Sequence, residues 1–224
     1  MLFHHVPLKD PIEMDTEMID GKRYYLTPSG GKYPSITTVI GSNPDKKAGI
    51  AKWRRRVGEE KANRVSTRAA TRGTDFHLMC EDWLNNKYDE KKFEGKHLPL
   101  MMFKNTKPTL SRINNIYAQE VALYSDHLEI AGRVDCIAEF DGELSIIDFK
   151  TSAKEKKLQW IEDYLIQETA YACMLLERYK LKVNKIVTII ACESGDTQVF
   201  VETPKKEYLQ KLIGYRDHYK KTYE

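Results

Sequence analysis

The sequence predicts a mixed α/β (α+β) fold: a mixed β-sheet of antiparallel hairpins and one parallel crossover, flanked by helices, with an N-terminal helical region. Three observations predict it. Residues 128–150 form two apolar segments around Asp141-Gly142, a strong two-residue hairpin signal. A long helical pattern follows over about 156–179 and another apolar strand over 185–193, and strand–helix–strand implies a right-handed parallel crossover. Upstream, from Asn43 to about residue 117, one helix-like pattern succeeds another.

Taken in order, residues 23–40 read as a short hairpin turning at Pro28 to Gly31, with an apolar segment after Pro34. Asn43-Pro44 is a helix start, an N-cap followed by proline at the first helical position. That helix runs through Ile50, Trp53 and Val57, and a second occupies about Glu59 to Ala70. A third starts near Thr74, a possible cap, with Phe76, Met79, Cys80 and Trp83 as its apolar stripe. Residues 85–97 are loop-like, and 98–117 read as a helix interrupted near Pro108. Residues 120–125 and 128–140 pair as strands, 143–150 is the return strand, and Leu158, Ile161, Leu165, Ala172 and Leu175 mark the long helix. A second hairpin turns at Ser194-Gly195-Asp196, and an amphipathic helix from Pro204 follows it.

At 224 residues without a linker-like stretch, one domain is expected, with a basic helical region at about 44–117 and a core at 118–203. No apolar run is long enough to span a membrane. The first twenty residues lack a signal-peptide apolar region and carry five acids, against a transit peptide. Cys80, Cys136, Cys173 and Cys192 form no CxxC pair and read as buried thiols of a reducing compartment. The net charge is +3, yet Lys46 to Arg72 holds ten basic residues against two acids, leaving about −5 for the rest. Such a segment is the footprint of a polyanion partner; a solvated helix face is the plainer reading. Arg64, Arg68 and Arg72 share one face if their helix continues that far.

The Asp141-Gly142 turn fixes a register in which facing residues sum to 283, so Asp135 lies opposite Asp148 with Cβ atoms ~5 Å apart. Lys150, two residues on, points to the same face. Facing carboxylates repel, and a divalent cation removes the conflict; oxygen ligands suit magnesium, manganese or calcium. With a lysine beside it, such a site suits attack of water on a phosphodiester. The competing reading is a cross-strand ion pair in which Lys150 neutralises one acid. Gln167 and Tyr171, four apart on the following helix, could reach a phosphate, or serve as a helix face and a core tyrosine. His77 and Glu81 are likewise four apart, as a site or a surface pair.

Asp135, then Asp148-Phe149-Lys150, then Gln167-x-x-x-Tyr171 resembles the PD-(D/E)xK nuclease superfamily in its RecB-like branch. Arg72-Gly73-Thr74-x-x-His77 looks like that branch's upstream motif, and Glu120 matches its additional acid. Pro34-Ser35-Ile36-Thr37-Thr38-Val39, WRRRVGEEKAN and AGRVDCIAEF are similar to the group of mitochondrial genome maintenance and phage-encoded exonucleases. The motifs span residues 34 to 171; each alone is weak, and the ordered set is specific.

The resemblance implies a restriction-endonuclease-like core and a magnesium- or manganese-dependent exonuclease acting on DNA with free ends, single strands favoured. It makes Asp135 and Asp148 metal ligands, with the Phe149 carbonyl a third and His77 and Glu120 at the edge of the site. Lys150 becomes the catalytic lysine, and Gln167 and Tyr171 position Lys150 or the DNA. Lys52, Arg54, Arg55, Arg56, Arg64, Arg68 and Arg72 are expected to follow the DNA backbone, with Thr37 and Thr38 also on the DNA side. Only Cys173 and Cys192 follow the Gln167-x-x-x-Tyr171 motif, so no iron–sulfur cluster is expected. A monomer in the cytoplasm, bacterial or phage-infected, without membrane attachment, completes the expectation. The rivals are an endonuclease of the same fold, an inactive module that holds DNA ends, and a carboxylate-pair hydrolase of another substrate.

Overall fold

The computed structural model describes residues 2–224. Two sheets and six α-helices account for most of the chain. The first sheet is small and antiparallel: β1 (Asp15–Ile19), β2 (Lys22–Leu26) and β3 (Lys32–Pro34). β2 and β3 are the expected hairpin, while β1, paired through an Asp20-Gly21 turn, is additional. Its sequence, Asp-Thr-Glu-Met-Ile, is almost wholly exposed and offers no apolar alternation to read. The apolar segment after Pro34 is a short helix, α1 (Ile36–Gly41), capped by Ser35, whose hydroxyl accepts from the Thr38 N–H at 3.0 Å.

α2 (Pro44–Val57) starts where Asn43-Pro44 predicts, the Asn43 side chain accepting from the Asp45 N–H at 2.9 Å. No residue of α2 is buried. α3 (Glu59–Leu84) is one continuous helix, which corrects the expected break and restart at Thr74. Gly73 costs a helix interior about 1 kcal/mol relative to alanine. Phe76, Met79, Cys80 and Leu84, all in the core, anchor the helix beyond it and outweigh that cost. Before Arg72 only Ala62 is buried, so α2 and the first half of α3 form an arm that adds almost nothing to the core and is tied to the body by surface contacts such as Lys46–Asp163.

α4 (His97–Leu110) keeps Pro108 near its C-terminal end and stops at Leu110, where the sequence suggested a helix to residue 117. Proline removes one N–H and crowds the carbonyl four residues back, so termination soon afterwards is its ordinary effect. From Ile113 the chain is strand: β4 (Ile113–Ser125) is twice the expected length and carries two irregularities between Asn114 and Ala118. The N-terminal segment covers its edge, Val6 and Leu8 donating to the Ile116 and Tyr117 carbonyls.

β5 (Ile130–Phe140) and β6 (Glu143–Ser152) turn at Asp141-Gly142, both with positive φ (52° and 77°) as this tight turn requires. α5 (Glu162–Tyr179) starts later than the expected residue 156, because Leu158–Trp160 forms a 3-10 turn instead. β7 (Lys185–Cys192), β8 (Thr197–Glu202) and α6 (Lys206–Tyr223) follow. The main sheet has the order β4-β5-β6-β7-β8, all antiparallel except β6–β7, the expected parallel crossover. One face packs on α5, with Ile137, Ile146 and Ile186 against Leu165 and Ile166. The other packs on α3 and α4, with Ile147, Phe149 and Val187 against Phe76 and Phe103.

The sheet forks at the point that matters. β5 and β6 pair from Phe140↔Glu143 to Cys136↔Ile147, every pair summing to 283, and stop one step short of Asp135 and Asp148. Beyond it β6 continues with β7 alone, from Asp148↔Thr188 to Ser152↔Cys192. β5 continues with β4 alone, from Val134↔Val121 to Ile130↔Ser125. Among the described residues no helix is long and apolar enough to cross a membrane.

Candidate active site

Separation of β5 from β6 leaves backbone groups without ladder partners, and side chains fill the gap. The Phe149 N–H donates to Asp135 Oδ2 at 2.9 Å, so the carboxylate stands in for a strand acceptor. On the other side of β5, the pairs Gln119↔Cys136 and Val121↔Val134 place Glu120 across from Asp135. Glu120 has φ +49°, a left-handed conformation costing a non-glycine residue about 1–2 kcal/mol. Arg133 holds that strained backbone, its guanidinium donating to the Glu120 carbonyl at 2.5 Å.

His77, from the anchored half of α3, completes a trio. Its Nδ1 is 3.5 Å from Asp135 Oδ2, and its ring meets Phe149 edge-on at 6.3 Å. One ligand atom each from His77, Glu120 and Asp135 lie within 4.8 Å of one another. Burial lowers the His77 pKa, only partly opposed by Asp135, so the imidazole is neutral and has a lone pair to offer. Burial, then Asp135 and Glu81, push the Glu120 carboxyl up to about 7. Two carboxylates and a neutral imidazole, destabilised by mutual repulsion, are a donor set suited to a divalent cation.

Asp148 is 2% exposed and its Oδ2 forms an ion pair with Lys150, while Oδ1 has no hydrogen-bond partner among the described residues. Burial raises its pKa, Lys150 lowers it and Asp135 raises it again, for a net upward shift. A buried carboxylate oxygen left without a partner next to the His77–Glu120–Asp135 trio also fits a cation. Burial pulls the Lys150 pKa down, but Asp148 and Asp135 more than reverse it, so Lys150 is a fixed ammonium. The ring of Tyr164, on α5, lies 5.2 Å from its Nζ.

Gln167 and Tyr171 share a buried face of α5, as their spacing predicts. The Tyr171 hydroxyl donates to the Arg133 carbonyl at 2.9 Å and accepts from Gln167 Nε2 at 3.2 Å, so the tyrosine anchors the glutamine to β5. Gly132 permits this: a Cβ there would lie 2.8 Å from the phenol and 3.0 Å from Ile36.

One buried acid escaped the sequence reading. Glu168, fully buried, accepts from the Thr188 hydroxyl through one oxygen and leaves the other without a partner. Burial and then Asp148 raise its pKa well above the carboxylate range. Its only sequence signal was an acid beside Gln167 on an otherwise apolar helix face.

The expected basic residues divide into three groups. Lys52, Arg55, Arg56 and Arg64 are exposed on the arm and have no acidic partner among the described residues. Arg54 is tied to Glu59 and Asn63. Arg68 and Arg72 share one face and both pair with Glu193. Thr37 and Thr38 bond to the Ser35 hydroxyl at the start of α1 and line a separate small cavity with Lys22 and Lys47.

Comparison with known proteins gives the family. The family model of the PD-(D/E)XK nuclease superfamily matches residues 96–222, more than half of the chain. The human protein named mitochondrial genome maintenance exonuclease 1 is 26% identical over 171 residues, covering 72% of this chain and 50% of that protein. The mouse protein of that name is 28% identical over 172 residues, with the same coverage. The Xenopus tropicalis one is 27% identical over 176 residues, covering 75% of this chain and 50% of its own. The chain therefore spans about half the length of these curated relatives. Among solved structures, that of SSO0001 overlays with a TM-score of 0.46 at 15% identity, covering 85% of this chain and 76% of the other. With the family model covering the sheet, α5 and α6, the chain belongs to the PD-(D/E)XK nuclease superfamily.

Proposed function

We propose that the chain is a metal-dependent DNA exonuclease that hydrolyses phosphodiester bonds from free ends and favours single strands. Nucleases of this superfamily use divalent metal ions. The observation that carries the reading is the fork between β5 and β6, where His77, Glu120 and Asp135 converge beside the buried Asp148–Lys150 pair. In this reading Asp135, Asp148 and the Phe149 carbonyl hold Mg2+ or Mn2+, with Glu120 and His77 as further ligands and no iron–sulfur cluster present. When bound, such an ion acidifies water and neutralises charge on the scissile phosphate. Lys150, kept charged by its acids, donates to the phosphate oxygen on which charge develops. Tyr171 fixes Gln167, whose amide oxygen is left to orient Lys150 or the substrate.

The whole chain then acts as one nuclease domain, its basic helices (about 44–117) binding DNA and 118–203 forming the catalytic core. It is read as a cytoplasmic monomer in a bacterial or phage-infected cell, serving DNA replication, recombination or degradation. The relatives named exonucleases support digestion from ends. The test is digestion of end-labelled single-stranded, double-stranded and covalently closed circular DNA, with Mg2+, with Mn2+ and with EDTA. The expected result is mononucleotide or short products from linear single strands only when metal is supplied, with the circle intact. Cutting of the circle identifies an endonuclease instead, and tight binding without hydrolysis in any metal identifies an inert end-binding module.

A further inference from the structure

A second feature adjoins the site. α3, the end of β6 and the chain leaving it border an open cavity of about 530 Å³. Val65 and the Tyr164 ring give it an apolar part, and Arg68, Arg72, Lys154 and Lys156 give it a cationic part. Its size and mixed lining suit one nucleotide. Two of its lining residues adjoin Lys150: Thr151 follows it on β6, and the Tyr164 ring lies 5.2 Å from its Nζ.

Arg72 is the built element of this cavity. It is 7% exposed, and its Nε donates to Thr151 Oγ1 at 3.1 Å, fixing the guanidinium to the strand that carries Lys150. Its Nη1 pairs with Glu193, whose other oxygen meets Arg68 Nη2 at 3.2 Å. One carboxylate thus bridges two guanidinium groups on one helix face, one oxygen to each, as a phosphate can. Glu193 comes from the turn after β7, and its N–H is held by the Ser152 carbonyl at 3.0 Å.

We propose that this cavity is a phosphate subsite for the nucleotide next to the scissile bond, and that Glu193 occupies it as a phosphate mimic until DNA displaces the carboxylate. The proposal rests on the nuclease reading and deepens it by naming Glu193 as a determinant of strand affinity. The acid makes weak or misplaced phosphates compete with an internal anion, so the subsite admits a strand only when both arginines are engaged.

The test is equilibrium binding of a labelled single-stranded oligonucleotide in EDTA, over a range of salt, by the full chain and by Glu193→Gln, Arg68→Ala and the double variant. Glu193→Gln is expected to bind roughly three- to tenfold tighter at low salt, with a steeper salt dependence. Arg68→Ala, altering an exposed side chain, is expected to weaken binding, lower the salt slope by roughly 0.7 and abolish the gain from Glu193→Gln in the double variant. A folded Glu193→Gln, checked by thermal melting, with unchanged affinity and slope overturns the subsite while leaving the nuclease reading intact. A native chain that binds no DNA overturns both.

Discussion

Glu120 carries two costs at once, a left-handed backbone and a carboxyl pushed up to about 7 by burial and by Asp135. The sign follows from linkage. Between pH 4.5, its ordinary value, and about 7, the folded state retains a proton that the unfolded state releases, so stability falls as pH rises through that window. After allowing for screening of a half-buried group, the loss is about 2 kcal/mol. In EDTA, the urea midpoint of the native chain should drop from pH 5 to pH 8 by more than that of Glu120→Gln. Adding Mn2+ at pH 8 should recover the native chain far more than the variant. Equal pH slopes in the two proteins would show that Glu120 does not hold its proton in the fold, and equal recovery by Mn2+ would remove Glu120 from the cation site. Lys150→Met removes the ammonium instead of an acid. It should cut hydrolysis by roughly 10²–10³ while DNA binding persists. It also leaves Asp148 buried without a cation, so Asp148 shifts further up and the variant should lose stability as pH rises. Retained hydrolysis in purified Lys150→Met would end the assignment of Lys150.

At the scale of elements, what was legible in the sequence is what local chemistry decides. Asn43-Pro44 announces α2, and Asp141-Gly142 fixes the β5–β6 register through five consecutive pairs. The fork was not legible, because it depends on β6 losing its antiparallel neighbour β5 while staying paired with β7, and on β5 staying paired with β4. Extrapolating the turn register therefore makes Asp135 and Asp148 a pair within the ladder, whereas the ladder ends before them. Gly73-Thr74 misled for a related reason: anchoring by Phe76, Met79 and Leu84 overrides a local stop signal. Glu120 stood in an ordinary apolar strand, with nothing to announce its φ. The contact between α5 and β5 gives an element-scale prediction. Gly132→Ala places a methyl 2.8 Å from the Tyr171 phenol and 3.0 Å from Ile36, in a packed interior. It should destabilise the protein by about 1–3 kcal/mol. Because Tyr171 anchors Gln167, hydrolysis by the folded fraction should fall as well. If the thermal midpoint matches that of the native chain, Tyr171 has room to move and does not position Gln167.

For the whole molecule, the charge distribution separates a body from an arm. The span Lys46–Arg72 carries +8 and the rest about −5, and α2 within it buries no residue. A helix with nothing in the core gains little from tertiary packing, so its sequence is freed from the fold and available to a partner. The exposed cations Lys52, Arg55, Arg56 and Arg64 have no acidic partner among the described residues, whereas Arg54 is tied to Glu59 and Asn63. The two groups should therefore respond differently to substitution. Alanine at Lys52, Arg55 or Arg56 should change stability by no more than about 0.5 kcal/mol, since nothing buried is lost. Each should nevertheless lower the slope of log K against log salt by roughly 0.7 on single-stranded DNA, one released counterion at a time. Arg54→Ala should instead loosen the junction of α2 with α3 and change the salt slope little. Fluorescence anisotropy with a labelled single strand in EDTA, from about 50 to 200 mM salt, reads all four variants on one scale. Identical slopes for the native chain and for Arg55→Ala and Arg56→Ala would show that the arm does not follow the phosphate backbone. A basic helix without buried residues would then need another partner.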